Sequence, residues 1–241
     1  MRAVILAAGT GSRLGGATTK ALVEVNGKKL IDYLFDFIDM DIFDKIYIVG
    51  GYHFTELSSY IETFKNNKIV LLENKNFLKG NIFTLLKALD EFDNDSFLIT
   101  NSDHIYPPVM FDKMEKYFNN ITSMCDFDRI LGQDDMKIKL FNNSNQIEFI
   151  DKKLFDFDCG YIGMTFIHKD NYQLYKNALI ETLDKKGDNA VVENILQTLS
   201  SNKENAPYIC DLSNFGWYEV DDVSDLQKAE MLIKQNNNFK F

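Results

Sequence analysis

The chain has 241 residues, of which 45% are hydrophobic and 26% are charged, and its formal net charge is −10. This length suffices for one α/β domain with a well-buried core, and the composition excludes a largely disordered chain. The negative charge argues against nucleic acid and anionic membrane as partners, because both attract basic proteins. A small phosphorylated ligand held in a local basic pocket fits the charge better.

Cysteine use and the N-terminal segment limit the cellular context. Cys125, Cys159 and Cys210 are odd in number and far apart, so they form neither a CxxC metal pair nor an obvious disulfide framework. This pattern favours the reducing cytoplasm. The apolar run at residues 3–8 is too short for a signal-peptide core or a membrane span, and it predicts a buried first strand.

In the first half of the chain, short apolar runs alternate with segments of helical periodicity. This alternation is typical of βα units around a parallel sheet. The predicted strands are residues 4–8, 45–50, 69–73 and 96–100. The predicted helices are residues 29–40, 54–64 and 82–90.

Beyond residue 119 the alternation becomes less regular, which predicts added or antiparallel strands. Strand-like pieces occupy residues 129–131, 136–141, 146–151, 160–167 and 218–220. Helices are expected at residues 170–181, 190–199 and 222–234, and the tail at 235–241 is expected to fray. The fold prediction is a single Rossmann-like α/β domain with a mostly parallel central sheet flanked by helices. We expect the domain to divide into a first half, residues 1–119, and a second half, residues 120–241, which ends in helices.

The first predicted strand breaks into a glycine-rich loop, LAAGTGSRL at residues 6–14. Glycines allow backbone N–H groups to approach phosphate oxygens, although a simple tight turn explains two glycines equally well. The spacing differs from the dinucleotide-binding fingerprint, and the GK[ST] ending of a Walker loop is missing. Two cations, Arg13 and Lys20, flank the loop and favour a triphosphate site.

This segment resembles the nucleotidyltransferase family that activates sugar phosphates and small alcohol phosphates. In that family the first strand leads into an LAAGxGxRL loop, which a phosphate-binding lysine follows. The resemblance implies catalytic roles for Arg13 and Lys20. The chain departs from the family in having Thr19, rather than proline, before that lysine. The implied nucleotide-binding residues of this loop are Leu6, Ala8, Gly9, Thr10, Gly11 and Ser12.

Carboxylates follow two of the predicted strands. Asp103 comes just after residues 96–100, at the sheet edge where α/β proteins hold ligands, and Ser102 joins the nucleotide site there. The resemblance implies that Asp103 and Asp221 bind Mg²⁺, a cation that prefers carboxylate and phosphate oxygens. Asp222 is predicted to cap the last helix. Glu219 shares a strand face with Asp221, so it is either a third acidic group of the site or a solvated residue on its rim.

The resemblance also suggests residues that read the two substrates. Gly80 and Asn81 match the position at which the family contacts the base and ribose. Acceptor-binding candidates are His104, Asp158, Glu193 and Glu219. For Asp158 and Glu193 a surface or capping role is an equally good interpretation. His53 and His168 have no partner at metal-ligand spacing and are interpreted as structural or exposed.

The implied function is Mg²⁺-dependent transfer of a nucleotide, with release of pyrophosphate. The resemblance makes residues 1–119 the nucleotide-binding half and 120–241 the acceptor-binding half with the C-terminal helices. The sequence is similar to the cytidylyltransferase branch, which implies CTP as donor and phosphocholine, inositol phosphate, a phosphoamino acid or a phosphonate as acceptor. A role in making cell-surface polysaccharide precursors and a homodimer are further expectations. Two alternatives are a glycosyltransferase that uses a nucleotide sugar and a silent nucleotide-sensing domain. The glycine loop with Lys20 argues against the glycosyltransferase, because Arg13 and Lys20 suit a triphosphate and its pyrophosphate product.

Overall fold

The computed structural model describes residues 1–239. A nine-stranded sheet forms the centre of the fold, with β10-β9-β11-β6-β1-β4-β5 as its main order. Outside this order, β8 pairs with β11 and β12 pairs with β8. The strands in chain order are β1 (Arg2–Ala7), β2 (Glu24–Val25), β3 (Lys28–Lys29), β4 (Lys45–Gly50), β5 (Ile69–Glu73), β6 (Phe97–Asn101), β7 (His104–Ile105), β8 (Ile121–Asp126), β9 (Lys137–Leu140), β10 (Ile147–Asp151), β11 (Cys159–Ile167), β12 (Tyr208–Asp211) and β13 (Tyr218–Glu219). The helices are α1 (Leu30–Phe37), α2 (Phe54–Ile61), α3 (Ile82–Leu89), α4 (Val109–Glu115), α5 (Tyr172–Lys186), α6 (Val192–Ser200) and α7 (Val223–Gln235).

The central strands are buried on both faces. In β1, Val4 and Leu6 pack into one hydrophobic core with α3, α5 and α6, whereas Ala3 and Ile5 pack into a second core with α1, α2 and α4. This period of two explains why the strand is a continuous apolar run, because a strand covered by helices on both sides has no solvent face. The sheet is parallel from β5 through β4 and β1 to β6, and β11 then pairs antiparallel with β6.

A short antiparallel ribbon joins two distant segments of the chain. In this ribbon β13 pairs with β7, so that Glu219 lies opposite His104. The Val220 N–H also donates a 3.0 Å hydrogen bond to the Asp103 carbonyl oxygen. Helix α7 then begins, and the Asp222 carboxylate caps it by accepting the Asp225 N–H at 3.0 Å. The ribbon therefore brings the residues after β13 to the end of β6, and the predicted cap is confirmed.

The fold class and most predicted elements are confirmed, with several corrections. The strand predicted at 129–131 is wrong, because the Asp126 carboxylate accepts the N–H groups of Asp128 and Arg129 and turns the chain into a loop. The helix predicted at 29–40 ends at Phe37, where Ile38 becomes extended, and the helix predicted at 170–181 starts later and runs to Lys186. Strands β7, β8 and β12, the β2–β3 hairpin and α4 were not predicted.

The C-terminal tail is partly tied to the rest of the chain. Side-chain amides of Asn236 and Asn238 both donate to the Phe215 carbonyl oxygen, so the fraying predicted from residue 235 is wrong as far as Phe239. Residues 240–241 lie outside the described part. Across residues 1–239, no helix combines the length and the apolar character needed to cross a membrane.

Candidate active site

A cavity of about 560 Å³ opens at the carboxyl ends of β1 and β6. This is the edge at which open α/β sheets hold their ligands. The cavity extends from the loop after β1 to the start of α6, so both halves of the chain contribute to it. Its lining residues are Leu6, Ala8, Gly9, Thr10, Lys20, Phe77, Leu78, Lys79, Asn81, Thr84, Asn101, Ser102, Asp103, Met136, Lys152, Val191, Glu193, Glu219 and Asp221.

The glycine loop folds into a compact turn at one end of this cavity. Gly11 has φ 58°, which an L side chain rarely adopts, and its carbonyl oxygen accepts the N–H groups of Leu14 and Gly16. A short 3₁₀ turn, Lys20–Leu22, follows with Ala21 and Leu22 buried. Burial of these two residues anchors Lys20, so that its side chain points across the loop into the cavity.

Lys20 lies between two carboxylates, Asp103 and Asp221, from distant parts of the chain. Its Nζ is 2.6 Å from Asp103 Oδ2 and also contacts Asp221 Oδ1. Only 11% of the Lys20 side chain is exposed, against 21% for Asp103 and 24% for Asp221. Burial lowers the pKa of Lys20, but the two carboxylates outweigh it and raise the pKa overall. Burial likewise raises the pKa of Asp103, yet Lys20 and His104 hold it well below its usual range.

His104 supports Asp103 from behind instead of facing the cavity. It is buried, and its Nδ1 donates to Asp103 Oδ1 at 2.6 Å. Its ring stacks on Trp217, with 5.4 Å between centroids and 5° between planes, and Trp217 Nε1 donates to Asp126 Oδ2 at 2.8 Å. Burial lowers the pKa of His104, but Glu219 and Asp103 raise it overall. The acceptor-binding role predicted for His104 is therefore not supported by its position.

Glu219 lies on the inner side of the ribbon and lines the cavity next to Asp221. Burial raises the pKa of Glu219, and the charges of Asp103 and Asp221 raise it further, against the lowering effects of His104 and Lys20. The side chain therefore belongs to the cluster of charged groups and is not a solvated rim residue.

Gly80 and Asn81 occupy the junction between α3 and α6. A Cβ on Gly80 would lie 1.8 Å from the Ala190 carbonyl oxygen, so the missing side chain serves chain packing and not approach to a ligand. Asn81 lines the cavity, and its Oδ1 accepts the Val192 N–H at 2.9 Å. That bond fixes the orientation of the amide and leaves Nδ2 as the group free to donate.

Met136, Lys152, Val191 and Glu193 also line the cavity. Glu193, an acceptor-binding candidate from the sequence, thus belongs to the cavity lining. Asp158 does not, because its carboxylate pairs with Lys139 and accepts the Leu140 N–H outside the cavity lining.

Arg13 and two loop residues lie at the mouth of the cavity, outside its lining. Arg13 Nη2 is 3.1 Å from Asp221 Oδ2, and 60% of the side chain is exposed. Gly11 is partly exposed and Ser12 is exposed in the same loop. His53 and His168 interact with their own neighbours, Glu56 and Asp170, away from the cavity.

Several lining residues were missed from the sequence. Asn101 directly follows the predicted strand 96–100, so the rule that pointed to Asp103 also marks it. Lys79 directly precedes Gly80 and Asn81, which the resemblance had singled out. Lys152 and Met136 lie in segments without a motif, and only the fold brings them to the cavity.

The family described as MobA-like NTP transferase domain matches residues 3–124, which include the glycine loop, Lys20 and Asp103. The chain belongs to this family. It is 29% identical to the choline-phosphate cytidylyltransferase of Streptococcus pneumoniae over 245 residues, covering 98% of this chain and all of that relative. It is 27% identical to the CTP:phosphoglutamine cytidylyltransferase of Campylobacter jejuni over 258 residues, covering 94% of this chain and 98% of that relative.

Among solved structures, the inositol-1-phosphate CTP transferase of T. maritima superimposes with a TM-score of 0.79 at 19% identity. The match covers 97% of this chain and 95% of that one. At this identity the likeness shows the fold alone. The fold is therefore that of the nucleotidyltransferases, with a mostly parallel sheet and a few antiparallel strands.

The acidic groups of this NTP transferase site suit a hard divalent cation, which prefers oxygen ligands. Asp103, His104 and Glu219 can each bring one ligand atom within 4.8 Å of the others. Because His104 Nδ1 is already bonded to Asp103, the carboxylates are the better ligands. The Lys20 ammonium lies between Asp103 and Asp221, which shows that this pair can hold a positive charge.

Proposed function

We propose that the protein is a magnesium-dependent cytidylyltransferase. It transfers CMP from CTP to the phosphate of a small acceptor and releases pyrophosphate. The observation that carries this proposal is the meeting of Lys20, Asp103 and Asp221 in one cavity beside the glycine loop. Triphosphate chemistry of this kind needs positive charge and fixed geometry more than it needs a strong base.

The bonding changes are simple. An oxygen of the acceptor phosphate attacks the α-phosphorus of CTP, and the bond from the α-phosphorus to the α–β bridging oxygen breaks. Pyrophosphate leaves with the bonding electrons. An acceptor phosphate is already ionised near neutral pH, so the chain needs no general base. This agrees with a cavity lining, in the described part of the chain, that contains no histidine.

The residues of the chain then have separate tasks. The backbone amides of the glycine loop and Arg13 hold the β- and γ-phosphates, which become the leaving group. Lys20 binds the α-phosphate or the acceptor phosphate. Asp103 and Asp221 are the residues that would hold Mg²⁺, with Glu219 as a third acidic group. The bound ion supplies positive charge that offsets the charge developing on the transferred phosphoryl group. On substrate binding, Lys20 is expected to exchange its carboxylate partners for phosphate oxygens.

The choice of CTP as donor is supported by the printed activities of the two relatives, both cytidylyltransferases. Asn81 offers a contact to the base, because its Oδ1 accepts the Val192 N–H and Nδ2 is left to donate to a ligand. This donor fits O2 or N3 of cytosine, and it fits O2 or O4 of uracil equally well.

The printed names of the two relatives and of the similar solved structure also support a small phosphorylated molecule as the acceptor, such as phosphocholine, phosphoglutamine or an inositol phosphate. The two-half division of the domain, the supply of polysaccharide precursors, the cytoplasmic location and the homodimer stay predictions from the sequence.

Pyrophosphate release tests the proposal. Purified protein with magnesium is given each of CTP, UTP, dTTP, ATP and GTP, together with a panel of phosphorylated acceptors. Acceptor-dependent release with CTP supports the proposal. Release of nucleoside diphosphate from a nucleotide sugar would point to a glycosyltransferase. Binding of CTP without any release would point to a nucleotide sensor.

A further inference from the structure

Two residues of opposite charge from the second half of the chain line the cavity. Glu193 lies in the first turn of α6, and Lys152 directly follows β10. Neither is part of the cluster around Lys20, where the phosphate chemistry takes place. An acceptor whose phosphate lies at that cluster would therefore extend its remaining groups toward this pair.

Glu193 carries a partly buried carboxylate. Within residues 1–239, no other residue donates a hydrogen bond to it. Burial raises its pKa and the charge of Glu219 raises it too, against the lowering effects of its own backbone N–H, Lys152 and His104. Partial removal from water is costly for a carboxylate, and a cationic group of a ligand bound beside it would relieve that cost. The helix that carries Glu193 is anchored through the Val192 bond to Asn81, so its position is fixed.

Lys152 offers the complementary charge. Its carbonyl oxygen accepts a 2.8 Å hydrogen bond from Lys137 Nζ, which holds the turn after β10 in place. The Lys152 ammonium makes no hydrogen bond or ion pair with another residue in the range 1–239. It is therefore free to bind an anionic group of a ligand.

The rest of the lining argues against two other acceptor types. A quaternary ammonium favours a cage of aromatic rings, but Phe77 is the one aromatic side chain among the lining residues in the described part of the chain, next to Leu78 and Lys79. A neutral polyol would leave both Glu193 and Lys152 without a charged partner. A primary ammonium and a carboxylate on one ligand would satisfy both.

We propose that the acceptor is a phosphorylated amino acid, whose ammonium group pairs with Glu193 and whose carboxylate pairs with Lys152. This inference rests on the proposed cytidylyltransferase function and specifies its acceptor. The two contacts are independent, because each involves a different group of the ligand.

Three commercial phosphates separate the contacts. O-phosphoserine carries both groups, phosphoethanolamine lacks the carboxylate, and 3-phosphoglycerate has a hydroxyl in place of the ammonium. Pyrophosphate release with CTP and magnesium is measured for each, and for phosphocholine and inositol 1-phosphate. The wild type is expected to use O-phosphoserine at least about tenfold more efficiently than any of the other four, as expected for loss of one charged contact.

Two variants then assign the contacts. Glu193→Gln should lower kcat/KM about 100-fold for O-phosphoserine and phosphoethanolamine and change 3-phosphoglycerate by less than about threefold. Lys152→Met should lower kcat/KM about tenfold for O-phosphoserine and 3-phosphoglycerate and leave kcat/KM for phosphoethanolamine unchanged. The controls are Lys153→Met and Glu204→Gln, which change the same residue types outside the cavity lining. They should leave kcat/KM unchanged for all five acceptors.

Two results would overturn the inference while the proposed function stands. One is a preference for phosphocholine or inositol 1-phosphate over O-phosphoserine. The other is an equal loss of kcat/KM for all acceptors in Lys152→Met, since Lys152 would then bind the phosphate that they share. If no acceptor gives pyrophosphate, the proposed function fails, and calorimetry decides the inference separately. O-phosphoserine must then bind more tightly than 3-phosphoglycerate to the wild type and lose that advantage in Glu193→Gln.

Discussion

Replacing Lys20 by methionine tests the charged cluster most sharply, because it removes the ammonium and keeps most of the side-chain volume. Asp103 and Asp221 then face each other without a counter-charge. Removing one partner of a fully buried pair costs about 3–5 kcal/mol, and these carboxylates are roughly one fifth exposed, so about 2–3 kcal/mol is expected. The variant should lose that much unfolding free energy in the presence of a chelator.

Magnesium should reverse most of this loss. A divalent cation no longer competes with the ammonium for the two carboxylates, so it should stabilise Lys20→Met more than the wild type. A ligand at 100 times its dissociation constant adds about 2.7 kcal/mol to the stability of a folded protein. Turnover should nevertheless fall by about 10²–10³, because the cation that contacts phosphate is gone.

Urea unfolding with EDTA and with saturating magnesium chloride measures both effects. Lys185→Met is the matched control, since Lys185 pairs with Glu181 on the exposed face of α5. The unfolding free energy of the control should stay within about 0.5 kcal/mol of the wild type in both conditions. If Lys20→Met also stays within that range in EDTA, or retains turnover within about tenfold of the wild type, Lys20 does not have the role given to it here.

Three further predictions concern other parts of the site. Asp221→Asn should lower turnover about 10²–10³-fold, whereas Asp222→Ala should cost about 1 kcal/mol of unfolding free energy through loss of its helix cap and leave turnover within about threefold. Gly80→Ala should cost at least about 3 kcal/mol in urea unfolding, because its Cβ would meet the Ala190 carbonyl oxygen at 1.8 Å; a smaller loss would contradict the packing role. Neighbouring carboxylates raise the pKa of His104 above 6.5 despite burial, so its stabilising contribution is complete below that pH and is lost as pH rises through the raised pKa. The unfolding free energy of the wild type minus that of His104→Gln, measured in EDTA, should shrink over that rise, and a constant difference would contradict this account.

Much of the first half of the chain could be predicted because its signals are local. The strand-to-loop segment at 6–14 is contiguous, and the carboxylate after a buried strand follows from sheet geometry. Asp222 was predicted as a helix cap on the same local grounds, and its bond to the Asp225 N–H agrees.

The missed parts depend on contacts between distant residues. The ribbon of β7 and β13 consists of two residues on each side, too short for any periodicity to show. His104 follows the predicted metal ligand and therefore resembled a cavity residue, but the stack on Trp217 turns it inward. Gly80 was interpreted as a ligand contact because it matches the family position that contacts the base and ribose. Its packing against Ala190 gave no signal, since Ala190 is 110 positions away in sequence.

Only part of the proposed acceptor site could be predicted from the sequence. Glu193 was already an acceptor-binding candidate, whereas Lys152 lies in a segment that gave no signal. The two residues line one cavity because β10 and α6 pack against each other. A single lysine after a strand does not reveal, before the chain is folded, that it faces a ligand site.

The most direct test of the central claim is pyrophosphate release from CTP in the presence of magnesium and a phosphorylated acceptor. The account predicts release that requires the acceptor and CTP together and that falls to background in Asp103→Asn. Release of pyrophosphate at the wild-type rate in Asp103→Asn, or no release with any acceptor in the panel, would contradict it.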